Sequence, residues 1–129
     1  MTDRKNEIPR ISDAEWQVMR EFWARGEATA SDVVAALEPD TDWKPKTIQT
    51  LIRRLTQKGA LGFEKVGREY LYRPLVDEKS CEQAVSEQFL DRVFDGRLAP
   101  FLANFVESNR FSREEINELK RMLDQNMSD

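Results

Sequence analysis

The chain has 129 residues, 40% of them hydrophobic and 34% charged, with five glycines and five prolines; this is room for one compact domain, or a small domain with an appendage, and excludes two full domains. It contains no histidine and a single cysteine, Cys81, so the usual zinc, copper and iron sites cannot be assembled, no internal disulfide can form, and no cofactor is expected. The net charge of -4 divides unevenly: residues 1–40 carry five Lys/Arg and nine Asp/Glu, residues 41–73 eight and three, residues 74–129 seven and twelve, or -4, +5 and -5.

Met1 to Arg10 is charged and lacks the apolar stretch of a signal peptide, and no segment approaches the roughly 18 apolar residues of a spanning helix, which predicts a cytoplasmic protein with no membrane insertion. Ser12 followed by Glu15 is a capping-box pattern. Asp13 to Ala24 then sets Trp16, Met19 and Trp23 along one side, with Val18 and Phe22 adjoining, and Gly26 breaks this first helix. Thr29 with Asp32 repeats the capping pattern before Ala30, Val33, Val34 and Leu37, a short second helix closed by Pro39. The polar stretch Asp40 to Lys44 is a loop in which Trp43 is the expected aromatic plug beneath the next helix.

Pro45 suits a first helical position because its missing N–H is not needed there, and Gly59 suits the position just past the end, so a third helix is predicted over Pro45–Lys58. Ala60–Val66 and Glu69–Arg73 read as a β-hairpin around Gly67 and Arg68, ended by Pro74, which cannot donate to a ladder. From Asp77, helical spacing returns with Val85, Phe89, Leu90, Val93 and Phe94 up to Gly96. Leu98, Phe101, Leu102, Phe105 and Val106 form a short fifth helix, and Ser112 with Glu115 caps a sixth carrying Ile116, Leu119 and Leu123.

The third helix is the candidate functional element. Counting about 100° per residue from Lys46, Ile48, Leu51, Ile52 and Leu55 fall between about 140° and 240°, one inward face. The outward arc holds Lys46, Gln49, Thr50, Arg53, Arg54 and Gln57, and no acidic residue lies between Lys44 and Gly62. Arg and Lys suit guanine and phosphate, Gln suits adenine, and Thr suits the thymine methyl. A solvated surface face is the plain alternative, yet such a face usually mixes signs so that i, i+4 pairs can form. Two helices, a basic third helix, and a hairpin with Lys65 and Arg68 near its tip follow the order of a winged helix, which places the third helix in the major groove and the wing on phosphates. The fold class expected is mainly α with a small β-hairpin wing: a winged-helix DNA-binding domain over residues 1–74 and a helical dimerisation region over 75–129.

Three blocks in order, Ile11-Ser12-Asp13-Ala14-Glu15-Trp16-Gln17-Val18-Met19, Trp43-Lys44-Pro45-Lys46-Thr47-Ile48-Gln49-Thr50 and Leu55-Thr56-Gln57-Lys58-Gly59-Ala60-Leu61, resemble the penicillinase and methicillin-resistance repressors, the BlaI/MecI family, with the match running from about Ile8 to Leu123. The resemblance implies a cytoplasmic homodimer on a palindromic operator of double-stranded DNA, repressing β-lactamase or related antibiotic-resistance genes until a membrane-bound sensor metalloprotease is activated and the repressor is cleaved. It implies operator contacts at Lys46, Thr47 and Thr50, phosphate contacts at Arg53 and Arg54, and a scissile pair at Asn104-Phe105. An Asn-Phe dipeptide marking only the border of surface and core is the alternative there. Lys44 stands where the family has serine, weakening the helix cap while adding a cation near phosphate. Some relatives sense copper through a cysteine-rich tail, a feature absent from Leu123-Asp124-Gln125-Asn126-Met127-Ser128-Asp129.

Phe89, Leu90, Val93, Phe94, Phe101, Leu102, Phe105, Ile116, Leu119 and Leu123 are too many apolar residues to hide within a three-helix appendage of about 35 residues, so a partner chain is expected to cover them. Folding back onto the winged helix is the other way to do so. A second function class stays open, a winged-helix protein-interaction module without sequence-specific DNA binding. An enzyme lacks support, since nothing supplies a general base or an activated nucleophile. Cys81 reads as a structural thiol, with a redox or intermolecular contact as the alternative.

Overall fold

The computed structural model describes residues 8–127; Met1 to Glu7, most of the charged start, and the last two tail residues, Ser128 and Asp129, lie outside the described residues. One compact unit ends at Ala84 and a second begins at Val85.

In the first unit, α1 (Asp13–Arg25) opens on the expected capping box: Glu15 N–H donates to Ser12 Oγ at 3.1 Å and Ser12 N–H to Glu15 Oε1 at 2.9 Å. Gly26, at φ 84°, stops the helix, a backbone conformation glycine adopts without a Cβ penalty. Thr29 and Asp32 cap α2 (Ala30–Leu37) in the same reciprocal way. The connecting loop is held by Thr41 Oγ1, which donates to Leu37 O at 2.8 Å and accepts from Trp43 N–H at 3.2 Å. Trp43 is thereby packed partly buried against the core, as the plug reading expected.

α3 (Pro45–Lys58) starts on Pro45 and ends on Gly59 in the left-handed region. The chain then forms β2 (Leu61–Val66) and β3 (Glu69–Pro74), joined by Gly67 and Arg68, with Gly67 at φ 66° in the first turn position of a two-residue hairpin. The ladder runs from Leu61 opposite Pro74 to Val66 opposite Glu69. A third strand, β1 (Ala28–Thr29), pairs antiparallel with β3 through Ala28–Tyr72 and Thr29–Leu71, giving the order β1-β3-β2. A two-residue strand is too short to show an alternating pattern, so the hairpin alone was expected.

Val18, Met19 and Phe22 of α1, Val33 and Leu37 of α2, Ile48, Leu51, Ile52 and Leu55 of α3, and Leu61 of β2 form the core. Every inward position counted on the third helix is buried there. Trp23 Nε1–H donates to Val76 O at 2.9 Å, tying α1 to the segment that follows the wing. Cys81 is a buried free thiol in the first turns of α4 (Glu78–Phe94); burial, with the Asp77 charge adding to it, pushes its pKa up. A thiol with a raised pKa is a poor nucleophile, which favours the structural reading.

The second unit holds the end of α4, α5 (Leu98–Glu107) and α6 (Arg113–Met127). Its rings make a ladder: Phe89 and Phe94 each meet Phe101, at centroid distances of 6.0 and 5.5 Å, and Phe105 stacks on Phe101 at 5.1 Å. Ser112 and Glu115 cap α6 reciprocally, both bonds at 3.0 Å. No residue from Val85 to Met127 is buried.

Candidate nucleic-acid interface

A helix buried along a continuous apolar stripe must turn its remaining residues to solvent, and on α3 those residues are Lys46, Thr47, Gln49, Arg53, Arg54 and Gln57, all exposed, with Thr50 half-buried among them. Arg53 Nη2 lies 3.5 Å from Thr50 Oγ1, a long contact that sets the guanidinium beside the hydroxyl on this face. Lys44 occupies the N-cap with φ -89° and ψ 160° and makes no side-chain capping bond, so the first turn of α3 keeps its free N–H groups with a cation beside them. Lys65 lies on β2, opposite Tyr70, and Arg68 sits at the hairpin tip; both are exposed.

Two cations of the basic middle segment are withdrawn from this surface. Lys58, in the last turn of α3, pairs its ammonium with Glu15 Oε1 and donates to Arg10 O at 2.6 Å. Glu15, on α1, is only 3% exposed. Burial alone would raise its pKa, but hydrogen bonds from Lys58 and the Ser12 backbone, with the lysine charge adding to them, hold it below its ordinary value of 4.5. Arg73 is bound to Glu64 at 3.2 Å. Among the described residues, Lys44, Lys46, Arg53, Arg54, Lys65 and Arg68 form no ion pair. Like charges gathered on one surface create a positive potential there, which draws an anionic partner.

The residue types and spacing expected to face DNA therefore lie on one element and its neighbouring hairpin. Sequence reasoning missed two residues beside them, Phe63 and Tyr70, which stay 51% and 46% exposed and stack edge to face at 5.2 Å. Their alternation along the strands was the available signal, but it reads equally as a core-facing sheet.

The predicted tail residues lie on three helices: Phe89, Leu90, Val93 and Phe94 on α4, Phe101, Leu102 and Phe105 on α5, and Ile116, Leu119 and Leu123 on α6. Phe89, Val93, Ile116 and Leu123 are exposed and the others half-buried. Val85, Leu98, Val106 and Met122 are further large apolar side chains exposed on these helices. Asn104 and Phe105 fall in the C-terminal half of α5.

The profile of the family described as penicillinase repressor matches residues 11–125. The chain belongs to the penicillinase repressor family. A penicillinase repressor of Bacillus licheniformis is 42% identical to this family member over 118 residues, covering 92% of each chain. The methicillin resistance regulatory protein MecI of Staphylococcus aureus is 36% identical over 118 residues, covering 92% of this chain and 96% of its own. Among solved structures, the DNA-binding domain of the repressor BlaI shares 43% identity and superposes with a TM-score of 0.53, covering 57% of this chain and 90% of that one. The Bacillus licheniformis BlaI monomer in complex with the blaP half-operator gives 43% identity and a TM-score of 0.52 over the same shares. These matches establish the winged helix, and the family is one of transcriptional repressors rather than enzymes. Among the described residues no helix is long and apolar enough to cross a membrane.

Proposed function

We propose that this DNA-binding repressor acts in the cytoplasm as a homodimer on a palindromic operator, of the kind that controls β-lactamase or related genes. The observation that carries the reading is the acid-free outer face of α3, where among the described residues Lys46, Arg53 and Arg54 form no ion pair, as Lys65 and Arg68 of the wing form none. α3 enters the major groove, where Lys46, Thr47, Gln49 and Thr50 meet base edges. Arg53 and Arg54, with Lys44, Lys65 and Arg68, meet phosphates on either side.

Pairing of two tails supplies the dimer. The absence of any buried residue from Val85 to Met127 supports it, because three helices with this many aromatic and aliphatic side chains gain little from folding alone. Two-fold symmetry then sets two recognition helices about one DNA turn apart, or a multiple of it.

Induction follows from cleavage between Asn104 and Phe105 by a membrane-bound sensor metalloprotease. α5 is ten residues long, has no side-chain bond at its N-cap Arg97, no acidic residue in its first turn and no basic residue in its last. Such a helix is cheap to unwind into the extended form that a protease grips. A cut there separates α6 from α4, loosens the dimer, and removes the added affinity of the second half-site.

The test is fluorescence anisotropy on the DNA upstream of the protein's own gene across a salt series, with Lys46→Ala/Thr50→Ala as control. Binding should favour a palindrome over random duplex, weaken steeply with salt by about 0.9 in log-log slope per phosphate contacted, and lose its preference in the double variant. Equal, weak binding to operator and random duplex would replace this reading with a protein-interaction module.

A further inference from the structure

α3 and the wing enclose a cleft of about 400 Å³, walled by Gln49, Arg53 and Gln57 on the helix side and by Phe63 and Tyr72 on the sheet side. A smaller groove of about 180 Å³ shares Ala30 and Tyr72 with it and lies between Ser31 at the start of α2 and Glu69 and Tyr70 on β3. The ladder places Phe63 opposite Tyr72 and Lys65 opposite Tyr70, so Phe63, Lys65, Tyr70 and Tyr72 share one face of the hairpin. Phe63 stacks on both tyrosines, at 5.2 and 5.8 Å, and Tyr72 leans on the core ring of Phe22 at 6.1 Å. The result is an aromatic wall braced from the core and left open to solvent, facing a guanidinium and two amides.

A winged helix with α3 in the major groove and its wing at the adjacent minor groove straddles the ridge between those grooves, and that ridge is one deoxyribose-phosphate strand. We infer that this cleft seats that strand, with Phe63 packing against a deoxyribose inside it and Tyr70, stacked on Phe63 at its border, packing against the next, while Arg53 and Lys65 hold the flanking phosphates. The chemistry is complementary in both halves: sugars present C–H surface to an apolar wall, and phosphates meet Arg53 and Lys65, which have no ion-pair partner among the described residues. Glu69 lines the smaller groove with Tyr70 and repels phosphate there, so the phosphates lie on the Arg53 side and the Tyr70 ring meets a sugar at the border of the two grooves. Phe63 and Tyr70 are then binding residues that no charge count finds, and they act on every sequence alike, since a sugar carries no base identity.

The inference rests on the DNA-binding reading, and its failure can be told apart from a failure of that reading. Hydroxyl-radical cleavage of the bound operator reports which sugars are shielded, and anisotropy reports affinity. The wild-type protein should shield a short run of sugars on the strand between the α3 groove and the adjacent minor groove. Phe63→Ser/Tyr70→Ser should expose that run and keep the protection around α3. Affinity should fall about tenfold for operator and random duplex together, at unchanged salt slope, because apolar contacts release no counterions. Arg53→Ala, by contrast, should lower the slope by about one. If the serine pair fails to fold by circular dichroism, Tyr70→Ala, which removes an exposed ring stacked on Phe63 and leaves the core untouched, carries the same test with a loss of about threefold. Wild-type binding with those sugars left reactive, or a folded variant that binds and shields as the wild type does, overturns the inference. No binding by the wild type overturns the DNA-binding reading itself.

Discussion

Replacing Val93 by aspartate tests how the tail is covered. Val93 keeps 51% of its surface exposed at the end of α4, with Phe89 at 38%, Ile116 at 39% and Leu123 at 56% on the same three-helix unit. Full burial of such a side chain stabilises by about 1.5–3 kcal/mol, so covering the half that remains is worth about 1 kcal/mol. A two-fold interface counts every residue twice, which makes Val93 worth about 2 kcal/mol to the dimer before the cost of placing two carboxylates in an apolar seam. The dimer Kd of Val93→Asp should therefore rise at least about 30-fold. Sedimentation equilibrium over a dilution series reads that shift. Val66→Asp is the control: Val66 is 52% exposed on the wing, outside the tail, and the same change of chemistry there should leave the Kd where it was. A wild-type chain that stays monomeric at tens of micromolar, or a Val93→Asp Kd no different from that of Val66→Asp, would refute the reasoning.

Lys58→Met should destabilise the winged helix by about 1–3 kcal/mol in urea unfolding, because it strips a buried carboxylate of its cation while the Ser12 backbone bond remains. The folded pKa of Glu15 lies below its ordinary 4.5, so the unfolded chain takes up the proton first. The stability this supplies is whole above that ordinary value and disappears as pH falls through the folded pKa, and Glu15→Gln should flatten the acid limb of the stability curve. Lys44→Ser should add about 1 kcal/mol to stability by supplying the missing N-cap acceptor at a residue already in the extended region. The same variant should weaken binding to operator and random duplex alike through loss of a cation, so the melting and anisotropy measurements move in opposite directions. Leu55→Ala, at a fully buried position of α3, should cost about 2–5 kcal/mol, read from the denaturation midpoint at unchanged slope.

Much of the fold was legible because its signals are local. Ser12 with Glu15, Thr29 with Asp32, and Ser112 with Glu115 each cap a helix three residues away, and the structure shows the reciprocal bonds in every case. Pro45 and Gly59 bound α3 for reasons of backbone conformation that need no tertiary contact. β1 escaped notice because two residues carry no period, and its pairing with Tyr72 and Leu71 depends on a hairpin formed more than forty residues later in the chain.

The interface was legible as a face and not as a surface. From the sequence, six of the eight cations of residues 41–73 fall on the outward arc of the third helix, its N-terminal end or the hairpin tip, and nothing says what the other two do; in the folded chain Lys58 is drawn into a pair with Glu15, 43 residues away, and Arg73 into one with Glu64. Phe63 and Tyr70 have the alternation of core residues, yet the hairpin carries them past the edge of the core that buries Leu61 and half-buries Tyr72, so Phe63 lines the cleft beside α3 and Tyr70 the smaller groove next to it.

Helix limits, caps, the apolar stripe of α3 and its acid-free opposite side were determined by the sequence alone, since each depends on residues within one or two helical turns of each other. Which cations stay unpaired, where the aromatic wall ends and how little of the tail its own unit covers were decided by tertiary structure, because Coulomb attraction and burial depend on distances in space between groups that lie far apart along the chain.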